Sequence, residues 1–325
     1  MYYDPNKTFS RQRLFNFVIG GRGIGKTYGA KDTVIKNFLR AGKQFVYLRR
    51  YETEMPAAEM KNFFDDIASD YPDTDFRAYN GLFRINNDIA GWYFPLSKAI
   101  MLKSIPFPNV SLIIFDEFII EVGVYKYLPN EVKTFLECYS TISRDRDVPV
   151  LFLSNAITMT NPYFLYFNLK FEKGQTIKLT KFISVELLQS PDFEKHMSQT
   201  KFGQLIAETE YGKYNIQNQF LLDTETFIAS MPPEASYICT FILQNREIGF
   251  YVSTLETMWY LSDKTDKTCK RKFALKFTEH DQTSVLAQKS NPFIREMLDK
   301  YCQGNIRFTT QEVKNLMSDI LRRLI

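Results

Sequence analysis

The sequence predicts an α/β fold: a mainly parallel sheet with helices on both faces, then a helical linker and a smaller α+β domain. Three observations predict it. Short apolar runs alternate with helical spacing through the first half of the chain, a glycine-rich loop joins the first run to the first helix, and closely spaced strands replace the alternation near the end. A chain of 325 residues is also too long for one ordinary domain.

Leu14 to Ile19 is a short apolar run of strand type, and Thr27 to Leu39 reads as the helix opened by the loop between them. Gln44 to Leu48, Leu112 to Phe115 and Val150 to Leu153 are apolar, β-rich runs that belong in a parallel sheet covered on both faces. Between them, Ala57 to Tyr71 has helical spacing. Leu82 to Ile85 and Trp92 to Phe94 read as a hairpin across Asn86-Asn87-Asp88, and Asn130 to Ser143 as a further helix. From about Glu194 the alternation stops, and Lys195 to Phe220 reads as a helical lid or linker broken near Gly203 and Gly212. Tyr237 to Leu243, Ile248 to Thr254 and Met258 to Leu261 follow closely, as in an antiparallel meander. Asn291 to Cys302 and Thr310 to Ile325 close the chain as helices, the second with Thr309 or Thr310 as cap and Glu312 in its first turn. The predicted domains are therefore 1–195, a linker over 196–228, and 229–325.

Composition narrows the function classes. The net charge of +4 is mild and its signs are interspersed, so any nucleic-acid surface must be local. Cys138, Cys239, Cys269 and Cys302 form no C-x-x-C pair, which argues against a zinc site or a disulfide framework and suits a reducing, intracellular setting. His196 and His280 stand alone and receive no role. With no signal peptide and no apolar stretch near 18 residues, a soluble protein away from membranes is expected.

The chemistry begins in Gly20-Gly21-Arg22-Gly23-Ile24-Gly25-Lys26-Thr27, which fits the Walker A pattern G-x-x-x-x-G-K-[ST] without a mismatch. Glycines let successive N–H groups converge on one point, and the helix N-terminus adds positive partial charge for a β-phosphate. Lys26 would reach the β- and γ-phosphates, and Thr27 would offer its hydroxyl to Mg²⁺. ATP and Mg²⁺ are the implied cofactors. Leu112-Ile113-Ile114-Phe115-Asp116-Glu117 is an apolar strand ending in two acids, the Walker B arrangement. Asp116 would hold the metal opposite Thr27, while Glu117 is placed to polarise an attacking water, which points to hydrolysis.

The strand Val150 to Leu153 ends in Ser154-Asn155-Ala156, and the whole set is similar to the additional-strand, catalytic-glutamate division of P-loop ATPases. In that division Asn155 falls where a polar residue senses the γ-phosphate; alternatively it starts a turn. Arg144 and Arg146, in Ser143-Arg144-Asp145-Arg146-Asp147, are candidate arginine fingers for a neighbouring subunit, or cations paired within their own loop. Lys103, in the segment before Walker B, is a weaker candidate for the same interface or for contacting phosphate.

Six stretches in this order resemble the genome-packaging ATPase of small protein-primed tailed phages, the phi29-like group. They are Phe15 to Lys26, Phe45 to Tyr51, Pro108 to Phe118, Leu153 to Ala156 with Asn161 to Asn168, and Phe202 to Gly212. The resemblance is specific over residues 14–222. It implies a homo-oligomeric ring, a pentamer by family resemblance, at the portal of an empty capsid in the host cytoplasm, pumping double-stranded DNA inward and absent from the mature virion. It gives Lys26, Thr27, Asp116 and Glu117 the hydrolytic roles and makes Arg144 the preferred trans-acting finger. Arg22 matches the family inside the loop, either coupling nucleotide state to neighbouring segments or pairing with an acid.

The region after 229 resembles the family's RNase H-like second domain. A nuclease of that type needs clustered carboxylates, one of them in its first strand. Tyr237 to Leu243 contains none, so a vestigial domain that binds and does not cut is expected. Its basic run, Lys264, Lys267, Lys270, Arg271, Lys272 and Lys276, would contact nucleic-acid phosphates or form a solvated loop; some family members bind a packaging RNA. A helicase-like or AAA+ remodelling ATPase is the alternative reading.

Overall fold

The computed structural model describes residues 3–120, 127–155, 161–169, 175–188, 191–206, 227–243, 246–255, 258–303 and 305–324. Expectations that fall on Ala156, on Gly212 and the rest of 207–226, and on the side chain of Lys103 lie outside those residues. The chain divides into two compact units. The first comprises the described residues of 1–121, 127–157 and 174–221, and the second those of 122–126, 158–173 and 222–325. Residues 161–169 thus group with the C-terminal unit and not with the 1–195 stretch. The short helix α5 (Pro162–Tyr166) explains this, because Leu165 is buried in the second unit's core.

In the first unit, α1 (Pro5–Phe9) precedes β1 (Phe15–Gly20), α2 (Lys26–Ala41) and β2 (Gln44–Arg49). α3 (Ala57–Lys61) then leads to β3 (Phe76–Tyr79), β4 (Leu82–Ile85), β5 (Asp88–Pro95) and β6 (Val110–Asp116). After α4 (Glu131–Ser143) come β7 (Val150–Ser154), β8 (Ile177–Leu179) and β9 (Ile183–Leu188). The strands form one sheet in the order β3-β4-β5-β2-β6-β7-β1-β9-β8. Its centre, β5 through β9, is parallel, and its edges are antiparallel. In space, β7 is the strand between the Walker A and Walker B strands. β2, which separates the motifs in sequence, lies on the far side of β6.

Alternation sorts the side chains. Val18, Ile114, Leu151 and Leu153 face α2, whose Ala30, Val34 and Ile35 are buried against them. Phe15, Phe115 and Phe152 point the other way, to Phe135 of α4, with ring centroids 5.9, 5.8 and 4.9 Å from it. Each face is therefore covered by a helix, as a parallel sheet requires. The hairpin forms as expected, with Asn86 and Asn87 both at positive φ, the signature of a tight two-residue turn.

The helix expected over Ala57 to Tyr71 stops at Lys61. From Met60 onward the bonds are mostly of i→i−3 type, such as Phe63 N to Met60 O, because Asn62, Asp65 and Asp70 favour turns. Phe63, Phe64 and Ile67 are buried all the same, so apolar spacing survives without a continuous helix.

The second unit holds a sheet in the order β14-β13-β10-β11-β12-β15. β10 (Ser236–Leu243), β11 (Arg246–Ser253) and β12 (Met258–Ser262) make the expected meander. β13 (Lys272–Ala274), β14 (Val285–Leu286) and β15 (Ile306–Phe308) add to it in parallel. α6 (Pro292–Cys302) and α7 (Gln311–Leu324) bury Phe293, Met297, Ile320 and Leu321 against the sheet. Asn291 and Thr310 cap them, accepting from Phe293 N and Val313 N.

Candidate active site

Three neighbouring strands deliver the site. In the sheet register Ile19 of β1 lies beside Ser154 of β7, and Leu153 beside Asp116 of β6, so the carboxyl ends of all three strands are level. The phosphate loop leaves β1 there. Gly23 and Gly25 have φ of 82° and 81°, in the left-handed region where a Cβ is strained, which is why glycine stands at both. Ile24 turns inward and is buried, Arg22 is exposed, and an open cavity of about 500 Å³ is lined by Arg22, Gly23, Gly25, Lys26, Thr27 and Asn155 among others.

Lys26 is only 5% exposed. Its ammonium donates to Gly20 O at 2.6 Å, Gly21 O at 2.8 Å and Asn155 Oδ1 at 2.7 Å. The amide of Asn155 turns its nitrogen to Glu117 and donates to Oε1 at 2.6 Å. One side chain at the end of β7 thus touches both the Walker A lysine and the Walker B glutamate. Thr27 Oγ donates to Asp116 Oδ2 at 3.2 Å. The same oxygen accepts from the Tyr47 hydroxyl at 2.9 Å and lies 3.8 Å from Arg49 Nη1. Burial, and then the charge on Asp116, push the Tyr47 hydroxyl well above the ordinary tyrosine range, so it stays a donor.

Asp116 and Thr27 present hard oxygens side by side. Among the described residues no group of three or more metal-holding side chains occurs. That donor set suits Mg²⁺, which keeps several waters and rests on one or two carboxylates plus substrate phosphates.

Arg144 and Arg146 part company. Arg144 caps α4, is exposed, and its side chain has no hydrogen-bond or ion-pair partner among the described residues. Arg146 folds back on its own unit and donates to four carbonyls: Phe107 at 2.6 Å, Val110 at 2.7 Å, and Pro108 and Ile142 at 2.9 Å. A guanidinium held by four backbone oxygens fits the other reading given for it, a cation paired within its own unit that holds a loop in place.

In the basic run of the second unit, Lys267 and Lys272 bond Glu247 and hold its carboxyl below the usual range. Arg271 lies over the Phe293 ring, 4.4 Å from its centroid. Lys264 and Lys270 are exposed.

Tyr47, Arg49, Arg50 and Glu131 surround the site without belonging to either motif. Two arginines directly after an apolar strand were the available signal, because charge at a strand's carboxyl end faces the crevice of a parallel sheet.

The family model for the podovirus DNA encapsidation protein (Gp16) matches residues 1–325. The DNA packaging protein of Bacillus phage phi29 is 34% identical over 327 residues, covering 100% of this chain and 98% of its own. A chain of the bacteriophage phi29 viral genome packaging motor assembly superposes with a TM-score of 0.63 at 34% identity, with 99% of each chain covered. The N-terminal domain of the DNA packaging ATPase from bacteriophage phi29 covers 59% of this chain and 98% of its own, with a TM-score of 0.56 and 42% identity.

Proposed function

This chain belongs to the podovirus DNA encapsidation protein family, and from that premise we propose that it is the ATP-hydrolysing motor that packages double-stranded DNA into an empty capsid through the portal. Lys26 neutralises the β- and γ-phosphates, exchanging the carbonyls it now bonds for phosphate oxygens. Thr27 and Asp116 would hold Mg²⁺, which would supply charge neutralisation for the phosphates. Glu117 polarises the attacking water, and ADP and phosphate are the products.

The carrying observation is Asn155, bonded at once to Lys26 at 2.7 Å and to Glu117 at 2.6 Å. Movement of Lys26 onto a nucleotide releases one partner of Asn155 and so bears directly on the carboxylate. Arg144, exposed at the end of α4, is the residue suited to reach a neighbour's γ-phosphate in a homo-oligomeric ring, as a pentamer requires. The second unit binds nucleic acid, DNA or a packaging RNA, without cutting it; β10 carries no acid. The protein works at the portal in the host cytoplasm.

The test is ATP hydrolysis with and without double-stranded DNA and empty capsids. Glu117→Gln should bind ATP with near wild-type affinity while turnover falls by about a thousandfold or more. Full turnover by that variant would overturn the assignment. Stimulation by DNA alone, with no dependence on capsid or assembly, would favour a helicase.

A further inference from the structure

Glu117 sits in an unfavourable backbone conformation. Its φ is 56°, in the left-handed region that a residue with a Cβ seldom adopts, and such residues persist only where their surroundings over-determine them. Part of that support is local: Glu117 N–H donates to Asp116 Oδ1 at 3.1 Å, and Phe118 N–H to Leu153 O at 3.1 Å. Further support comes from a residue outside both nucleotide motifs.

Arg50 follows β2 and is 1% exposed. Its Nη1 donates to Glu117 O at 3.1 Å and its Nη2 to Phe118 O at 2.6 Å. The adjoining edge of the guanidinium, which shares Nη2 with the first, grips Glu131, the first residue of α4, through Nε to Oε2 at 2.7 Å and Nη2 to Oε1 at 2.9 Å. Its plane lies over Tyr127 and Phe115, 4.9 and 5.8 Å from the ring centroids. The Glu117 carbonyl belongs to the peptide that follows the glutamate, so fixing it limits rotation about the Glu117 backbone and hence the direction of its carboxylate.

We propose that Arg50 is the positioning residue of the hydrolytic site: it locks the peptide after Glu117 and makes the direction of that carboxylate depend on α4 through Glu131. The proposal rests on the reading of Glu117 as the acid that polarises water. Only a planar fork serves both carbonyls and both carboxylate oxygens. Lysine, with three donors on one nitrogen, keeps the charge and loses the span.

The experiment uses full-length Arg50→Lys, Glu131→Gln and Glu117→Gln, and the first two each combined with the third. Binding of a fluorescent ATP analogue and single-turnover hydrolysis are measured for each. Arg50→Lys should bind within about threefold of wild type and hydrolyse at least about tenfold more slowly. On the Glu117→Gln background the same change should alter the residual rate by less than about twofold, because its route of action has been removed. Glu131→Gln should follow the same pattern with a smaller loss, and it carries the test alone if Arg50→Lys does not fold.

A folded Arg50→Lys with full rate overturns the proposal. So does an equal loss on both backgrounds, which a purely structural brace would produce. If Glu117→Gln itself turns over normally, the underlying reading of Glu117 has failed, an outcome recognisable from that single variant before any combination is made.

Discussion

Replacing Tyr47 with phenylalanine takes one oxygen from beneath Asp116 and leaves the packing intact. The hydroxyl is buried and donates at 2.9 Å to Asp116 Oδ2, which also accepts from Thr27 at 3.2 Å. A hydrogen bond to an ionised acceptor contributes about 1.5–3 kcal/mol. A unit of about 200 residues moves by about 2–4 °C per kcal/mol, so thermal unfolding of the first unit should fall by about 3–12 °C at pH 7. The pH dependence has a defined sign. Burial and Asp116 raise the hydroxyl's pKa in the folded state above its unfolded value near 10, so its contribution is whole below about pH 10 and is lost as pH climbs further. The wild type should therefore lose stability faster than Tyr47→Phe above pH 10. Tyr3 and Tyr71, also raised by burial, are present in both proteins and cancel in the difference. Circular dichroism melts at pH 7 and in steps above pH 10 make the comparison. A shift under about 1 °C at pH 7, or parallel curves at high pH, would refute the role given to this hydroxyl.

The other expectations separate machinery from framework. Arg146→Ala should lower stability by about 2–4 kcal/mol in denaturant titration, since four carbonyls lose a charged donor. Arg144→Ala should leave the midpoint within about 0.5 kcal/mol while ATPase of the assembled ring drops about a thousandfold. Phe152→Ala should cost about 3–5 kcal/mol by calorimetry, because its ring meets Phe17 at 4.2 Å, Phe135 at 4.9 Å and Phe118 at 5.6 Å. Gly29→Ala places a Cβ 2.5 Å from Tyr3 O. It should displace the N-terminal segment, whose Tyr3 N–H bonds Ile24 O inside the phosphate loop at 2.9 Å, and weaken ATP binding measured by calorimetric titration.

What could be read from the sequence was written in contiguous residues. Gly20 to Thr27 and Leu112 to Glu117 carry their geometry locally, because glycine φ angles and strand-end acids need no distant partner to be recognised. The pairing of Arg50 with Glu131 was invisible for the opposite reason, since 81 residues separate the two halves of their bond. Arg144 was preferred to Arg146 only through the family resemblance, because a spacing of two positions in a loop says nothing about which guanidinium turns to solvent. β8 and β9 escaped notice as short strands with interspersed polar residues, and β9 owes its place to pairing with β1. Leu165 shows the same limit at a larger scale: an apolar Pro-Tyr-Phe-Leu run after β7 gives no indication of which core it will enter.

Phe118 directly follows the glutamate, and its ring meets Phe17 of the phosphate-loop strand at 5.2 Å and Phe152 of the strand between the motifs at 5.6 Å. A core packed this densely scarcely compresses. The ends of β1, β6 and β7 therefore behave as one solid block, and Glu117 can travel only by turning about its own backbone. On the hydrolytic reading proposed above, work released at the phosphates would leave through whatever is bolted to the block's rim, which for this chain means the carbonyls beside Glu117 and the helix that begins at Glu131.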